Sequence, residues 1–113
     1  MKTVLMGRRD TTTLEACTAA QQACTSCAYD CCGRAGMAEC CRLCLDCASM
    51  CAMTAEMIAR GSRWAVSMAE MCARMCAECA DECAKHDDPS CRECAEACRR
   101  CAEQCRKMMA SVQ

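Results

Sequence analysis

Residues 91–105 read CRECAEACRRCAEQC, and the five cysteines of this stretch are spaced alternately three and four positions apart. On an α-helix this alternation lines the side chains up in one stripe, at the positions that leucine, isoleucine and valine fill in most helical bundles. The stretch therefore predicts a helix whose buried face is made of thiols.

Helical spacing also relates most of the cysteines in three earlier parts of the chain, which has 19 cysteines in all. A buried stripe of thiols on several helices is a core that can hold many soft metal ions. The candidate metal ligands are Cys17, Cys24, Cys27, Cys31, Cys32, Cys40, Cys41, Cys44, Cys47, Cys51, Cys72, Cys76, Cys79, Cys83, His86, Cys91, Cys94, Cys98, Cys101 and Cys105.

Glycine, serine and proline punctuate the chain at three places: Gly33 with Gly36, Gly61 with Ser62, and residues 86–89. Such residues end helices or begin new ones. Asp88 is a natural N-cap residue, with Pro89 in the first helical position. The sequence predicts four helices, at about 12–34, 37–60, 62–86 and 89–110.

The short breaks require neighbouring helices to run antiparallel. The expected fold is all-α, an antiparallel up-down-up-down four-helix bundle with a cysteine-lined core, formed by residues 12–113 after an N-terminal tail of residues 1–11. In this arrangement one end is an apolar plug, and the other is an open end that carries His86. The residues expected at the plug are Leu14, Ile58, Trp64, Met68, Met108 and Met109.

Composition excludes several classes of protein. With 14 basic and 15 acidic residues, the chain has almost no net charge, so no strong electrostatic attraction to nucleic acid or to an anionic membrane is expected. A disulfide scaffold is a poor fit, because the cysteine number is odd, no signal peptide is evident, and helix formers dominate over four glycines and one proline. No segment is apolar and long enough to span a membrane. We therefore expect a cytoplasmic protein with reduced thiols.

Thiols four residues apart on a helix are close enough to share one ion, as in the pairs Cys27/Cys31 and Cys94/Cys98. Two-coordinate thiolate binding suits Cu(I), so the pattern predicts storage of multiple Cu(I) ions. A thiolate buffer for zinc or another soft metal stays open, as does an interaction module whose cysteines only pack. An enzyme is not expected, because no nucleophile–base pair and no separate C-x-x-C motif are visible.

The C-terminal run of C-x₃-C and C-x₂-C steps, from Cys72 through His86 to Cys105, resembles the cytosolic branch of the bacterial copper storage proteins. The resemblance covers residues 12–110. It implies a bundle whose interior fills with Cu(I), assembled as a homotetramer, with histidine and acidic residues at the open mouth. In this chain only His86 matches those histidines. We expect copper to be loaded at the His86 end from glutathione or a small copper chaperone.

Overall fold

The structure, a computed structural model, describes residues 11–111, and this part of the chain consists of four α-helices joined by short turns. The helices are α1 (Thr11–Cys31), α2 (Ala38–Ala59), α3 (Ala65–Cys83) and α4 (Pro89–Ser111). Of the predicted tail, residues 1–10 lie outside the described range, whereas Thr11 belongs to α1.

Each helix packs along the helices that precede and follow it, and α4 returns to pack against α1. Consecutive helices joined by turns of five or six residues run in opposite directions. The predicted antiparallel up-down-up-down four-helix bundle is therefore confirmed. None of the four helices is both long and apolar enough to cross a membrane.

Two predicted helices extend too far into the turns. The first ends at Cys31, and Gly33 and Gly36 adopt φ angles of +80° and +78°, which only glycine tolerates readily. The third begins at Ala65 and ends at Cys83, so that His86 lies in the turn before α4.

The start of α4 is fixed by Asp88, as the sequence predicts. Its Oδ1 accepts hydrogen bonds from the backbone N–H groups of Ser90, at 2.9 Å, and Cys91, at 3.4 Å. Both groups belong to the first turn of the helix, where no intrahelical acceptor is available. This cap places Cys91 in the first turn of α4, at the end of the bundle that carries His86.

The opposite end of the bundle is filled by apolar side chains. Ile58 and Met108 are buried there, whereas Leu14, Met68 and Met109 are partly buried. Trp64 does not belong to this plug: 58% of its surface is exposed, and the guanidinium of Arg63 lies 5.7 Å from the ring centre. Trp64 lies in the turn before α3, and its exposed ring is directed to the outside of the bundle.

Candidate metal centre

Seventeen of the 19 cysteines lie inside the bundle, and each has at most 1% of its surface exposed. Positions three and four residues apart share a helix face, so every helix directs one row of thiols to the axis. We call this set the thiol column. Its members are Cys17, Cys24, Cys27, Cys31, Cys40, Cys44, Cys47, Cys51, Cys72, Cys76, Cys79, Cys83, Cys91, Cys94, Cys98, Cys101 and Cys105.

At the open end the column begins with Cys27, Cys31, Cys40 and Cys91, whose sulfur atoms all lie within 4.8 Å of one another. The Sγ atom of Cys31 is 3.8 Å from that of Cys40, and the Sγ atom of Cys27 is 3.8 Å from that of Cys91. Three helices, α1, α2 and α4, thus contribute sulfur to one cluster. These four thiols are close enough together to bind one metal ion.

In the middle of the column, Cys24 is the centre of a second cluster. Its Sγ atom is 3.4 Å from that of Cys98, 3.6 Å from that of Cys94 and 4.0 Å from that of Cys79. These four sulfurs also lie within 4.8 Å of one another. Three helices, α1, α3 and α4, thus contribute sulfur atoms to this cluster.

The deepest cluster is next to the plug and contains Cys17, Cys72, Cys101 and Cys105. The Sγ atom of Cys101 is 3.6 Å from that of Cys17 and 3.8 Å from that of Cys72. Sulfur–sulfur contacts of 4.0 Å or less connect this cluster to the middle and the open end without a gap. The column is therefore one continuous path of thiols.

The spacing of the sulfurs suits a soft ion with two or three thiolate ligands. With a metal–sulfur bond of about 2.3 Å, two sulfurs on opposite sides of an ion are about 4.6 Å apart, and three around it are about 4.0 Å apart. The sulfur–sulfur contacts of 3.4–4.0 Å lie within about 0.6 Å of the three-thiolate spacing. Binding by two thiolates requires the two sulfurs to move apart by about 0.6–1.2 Å.

Burial is the largest cause that raises the pKa of Cys27, Cys40 and Cys91 above the ordinary value of a thiol, and negative charge on neighbouring thiols raises it further. Burial therefore favours the protonated form of these three thiols when no metal is bound. Metal binding replaces the protons, so it releases protons to the solvent and depends on pH.

At the mouth, His86 is held by a carboxylate. Its Nε2 atom is 2.9 Å from Oε2 of Glu82, and Nζ of Lys85 is 3.2 Å from Oε1 of the same carboxylate. The hydrogen bond from His86 is the main cause that lowers the pKa of the Glu82 carboxyl. The His86 side chain remains 21% exposed, so the ring is fixed at the rim while solvent still reaches it.

Two predicted ligands lie outside the column. Cys32 is exposed in the turn after α1, and Cys41 is half-buried at the contact between α1 and α2. Neighbouring positions on a helix point about 100° apart, so Cys31 and Cys32, or Cys40 and Cys41, do not both face the axis. The structure thus brings seventeen of the predicted cysteine ligands together and sets these two apart.

Comparison with known protein families gives a match over residues 6–110 to the model described as "Csp: Copper storage protein". This chain belongs to the copper storage protein family. Its thiol column provides the soft sulfur ligands that Cu(I) prefers. A search of curated proteins found no match.

Solved structures of copper storage proteins share this fold. The apo form of copper storage protein 3 from Bacillus subtilis is 36% identical, with a TM-score of 0.84 over 88% of this chain and 98% of that one. The Cu(I)-bound copper storage protein BsCsp3 is 35% identical, with a TM-score of 0.85 over 88% and 97%. The cytosolic copper storage protein of Streptomyces lividans with five coppers is 35% identical, with a TM-score of 0.87 over 94% and 96%.

Sequence reasoning overlooked two polar residues at the mouth of this copper storage protein, Glu82 and Arg34. Glu82 precedes His86 by four positions, a spacing that brings side chains together on a helix, so the pair was detectable. Arg34 pairs with Asp88 across two turns, and nothing in the local sequence indicates such a contact.

Proposed function

We propose that this protein stores and buffers many Cu(I) ions in the cytoplasm, bound by the thiol column and loaded from the end that carries His86. The observation that supports this function best is the continuity of the column. Contacts of 4.0 Å or less run from Cys31 at the mouth to Cys105 beside the plug. Copper that binds at the mouth can therefore move inward by exchange between adjacent thiols.

The chemistry of the column favours Cu(I) over zinc. Structural zinc takes four ligands in an isolated tetrahedral site, whereas here overlapping clusters share members, such as Cys27, which belongs to two of them. A shared thiolate that bridges two ions suits a cluster of low-coordinate Cu(I). With each thiolate bridging, capacity reaches roughly one ion per column thiol.

The closed plug and the His86 rim support loading from one direction. The plug end presents Ile58 and Met108, which offer no thiolate, whereas the other end carries His86 in the turn after α3 and the cluster of four thiols that begins the column. Glutathione or a small copper chaperone is the donor we propose. The chain is further proposed to assemble as a homotetramer and to lack enzymatic activity.

An anaerobic titration of the reduced protein with Cu(I), in competition with a chromophoric Cu(I) chelator, tests the proposed function. We expect a tight endpoint near one copper per column thiol, and no displacement of bound Cu(I) by excess Zn(II). An endpoint of a few ions, or none, would mean that the thiols pack the core instead. Displacement by Zn(II) would favour the zinc buffer.

A further inference from the structure

The two cysteines outside the column lie on one groove. Cys32 and Cys41 line a surface cavity of about 280 Å³ between the end of α1 and the start of α2, together with Thr25, Ala28, Tyr29 and Leu45. Apart from Thr25, the side chains that share this cavity with the thiols are apolar or aromatic. An apolar cavity with two thiols at its surface provides ligands for a soft ion and few competing oxygen ligands.

Exposure of the thiols decreases step by step from this groove to the column. Cys32 is exposed, Cys41 is half-buried, and Cys31 and Cys44 are buried in the column. The Cys41 thiol points back to the α1 backbone, where its Sγ atom is 3.8 Å from the carbonyl oxygen of Ala28. Cys41 thus lies at the helix contact that separates the groove from the interior.

The carbonyl oxygen of Ala28 connects the two cysteines. It accepts a hydrogen bond from the backbone N–H of Cys32 at 3.0 Å, and the Sγ atom of Cys41 lies 3.8 Å from it. Cys41 also directly follows Cys40, which is a member of the column. Cys41 is therefore adjacent both to the backbone of the surface cysteine and to the column.

We propose that Cys32 and Cys41 form a lateral Cu(I) site on the outside of the bundle, which exchanges copper with thiol-bearing donors and with the column. This inference rests on the proposed function and adds to it a second access route, distinct from the His86 mouth. When copper arrives, two copper–sulfur bonds form to Cys32 and Cys41 as the bonds to the donor thiolates break. The two displaced thiol protons pass to the donor thiolates or to solvent, and copper stays Cu(I) throughout.

Thiol labelling of the copper-loaded protein tests the lateral site. Wild-type protein, in apo form and saturated with Cu(I), is treated briefly with N-ethylmaleimide under anaerobic conditions, and the modified cysteines are identified by mass spectrometry. We expect Cys32, which is exposed, to be modified readily in the apo protein and Cys41 to be modified more slowly, because its thiol is half-buried. Both should be at least tenfold less reactive after loading. Equal labelling of Cys32 in both forms would overturn the proposal.

Two double variants complete the experiment. Cys32→Ser with Cys41→Ser should lose about one copper per chain and should remove the fastest phase of copper transfer to a bulky chelator. The control, Cys47→Ser with Cys51→Ser, removes two column thiols and should lose copper from the column while the fast phase persists. If the first variant keeps both the stoichiometry and the fast phase, the lateral site does not exist. If wild-type protein takes up no more than a few ions, the proposed storage function itself fails.

Discussion

Arg34 and Asp88 join the two turns at the open end of the bundle: Nη1 of Arg34 is 3.0 Å from Oδ2 of Asp88. Asp88 uses its other oxygen, Oδ1, to cap α4. A second link runs in parallel, from the hydroxyl of Ser90 to the carboxylate of Asp30. The end of α1 is thus tied to the start of α4 on the side where Cys91 enters the column.

Arg34→Ala should lower the stability of the apo protein at pH 7, because it removes this link and leaves Asp88 without its cation. Hydrogen bonding to Arg34 is the main cause that holds the pKa of Asp88 below its ordinary value. A carboxylate with a lowered pKa stabilises the fold above its unfolded pKa, about 3.9 for aspartate. That contribution is lost as the pH falls through the folded pKa.

Urea unfolding of wild-type and Arg34→Ala protein at pH 7 and at pH 3 and below measures this effect. The difference in unfolding free energy should be present at pH 7 and should shrink as the pH falls. Arg42→Ala is the control, since Arg42 pairs with Glu39 on its own helix, at 3.6 Å and in solvent. A difference for Arg34→Ala that stays constant with pH would show that the ion pair is not its source.

His86→Ala should slow copper loading and leave the copper capacity nearly unchanged. The His86 imidazole lies outside the column, where it contacts the Glu82 carboxylate, and the substitution leaves all seventeen thiols of the column in place. Stopped-flow transfer of Cu(I) from a chelator measures the rate, and the titration endpoint measures the capacity. Lys85→Ala is the matched control, because Lys85 binds the same carboxylate but has no ligand for soft metals. A loss of capacity equal to the loss of rate would contradict a role restricted to loading.

The fold was predictable from the sequence because the cysteine stripe is long and regular. In α4 the predicted helix, 89–110, differs from Pro89–Ser111 by one residue, since Asp88 and Pro89 define its start. In α3 the apolar stripe continues before Cys72 through Met68 to Trp64, at helical spacing, so the pattern extends into the turn that precedes the helix. The prediction there started three residues before Ala65.

The site was predictable as a column but not at its edges. Helical spacing assigns every buried cysteine, and the adjacent pairs 31–32 and 40–41 contain one inward and one outward residue each. The inward members, Cys31 and Cys40, are the ones that continue the three-four spacing. That the outward members, Cys32 and Cys41, share one groove follows from the packing of α1 against α2 and not from the spacing. The contact of Arg34 with Asp88 joins residues 54 positions apart, so it follows from the topology and not from a local pattern.

Cys94→Ala combined with Cys98→Ala should lower the copper stoichiometry while the bundle stays helical. The two Sγ atoms are 3.9 Å apart, and both contact Sγ of Cys24, so the change removes the centre of the column. Circular dichroism measures the helix content, and the competition titration measures the copper. Glu93→Ala with Arg99→Ala changes two exposed positions of the same helix and should keep full capacity. Unchanged stoichiometry in the cysteine variant would contradict a continuous column.

Ile58→Ala should destabilise the apo protein by about 2–5 kcal/mol, the usual result of removing a large buried aliphatic side chain. Ile58 is 2% exposed and is a large aliphatic side chain in a core built mainly of alanine and cysteine, which are too small to fill the resulting cavity. Copper capacity should not change, because the nearest column thiol on α2 is Cys51, about 10 Å away along the helix. Urea unfolding and the copper titration of the same sample measure both quantities. Met53→Ala, at a position that is 49% exposed, should alter stability by no more than about 0.5 kcal/mol. If a folded Ile58→Ala protein stores less copper than wild type, the plug is part of the storage space and not merely its closed end.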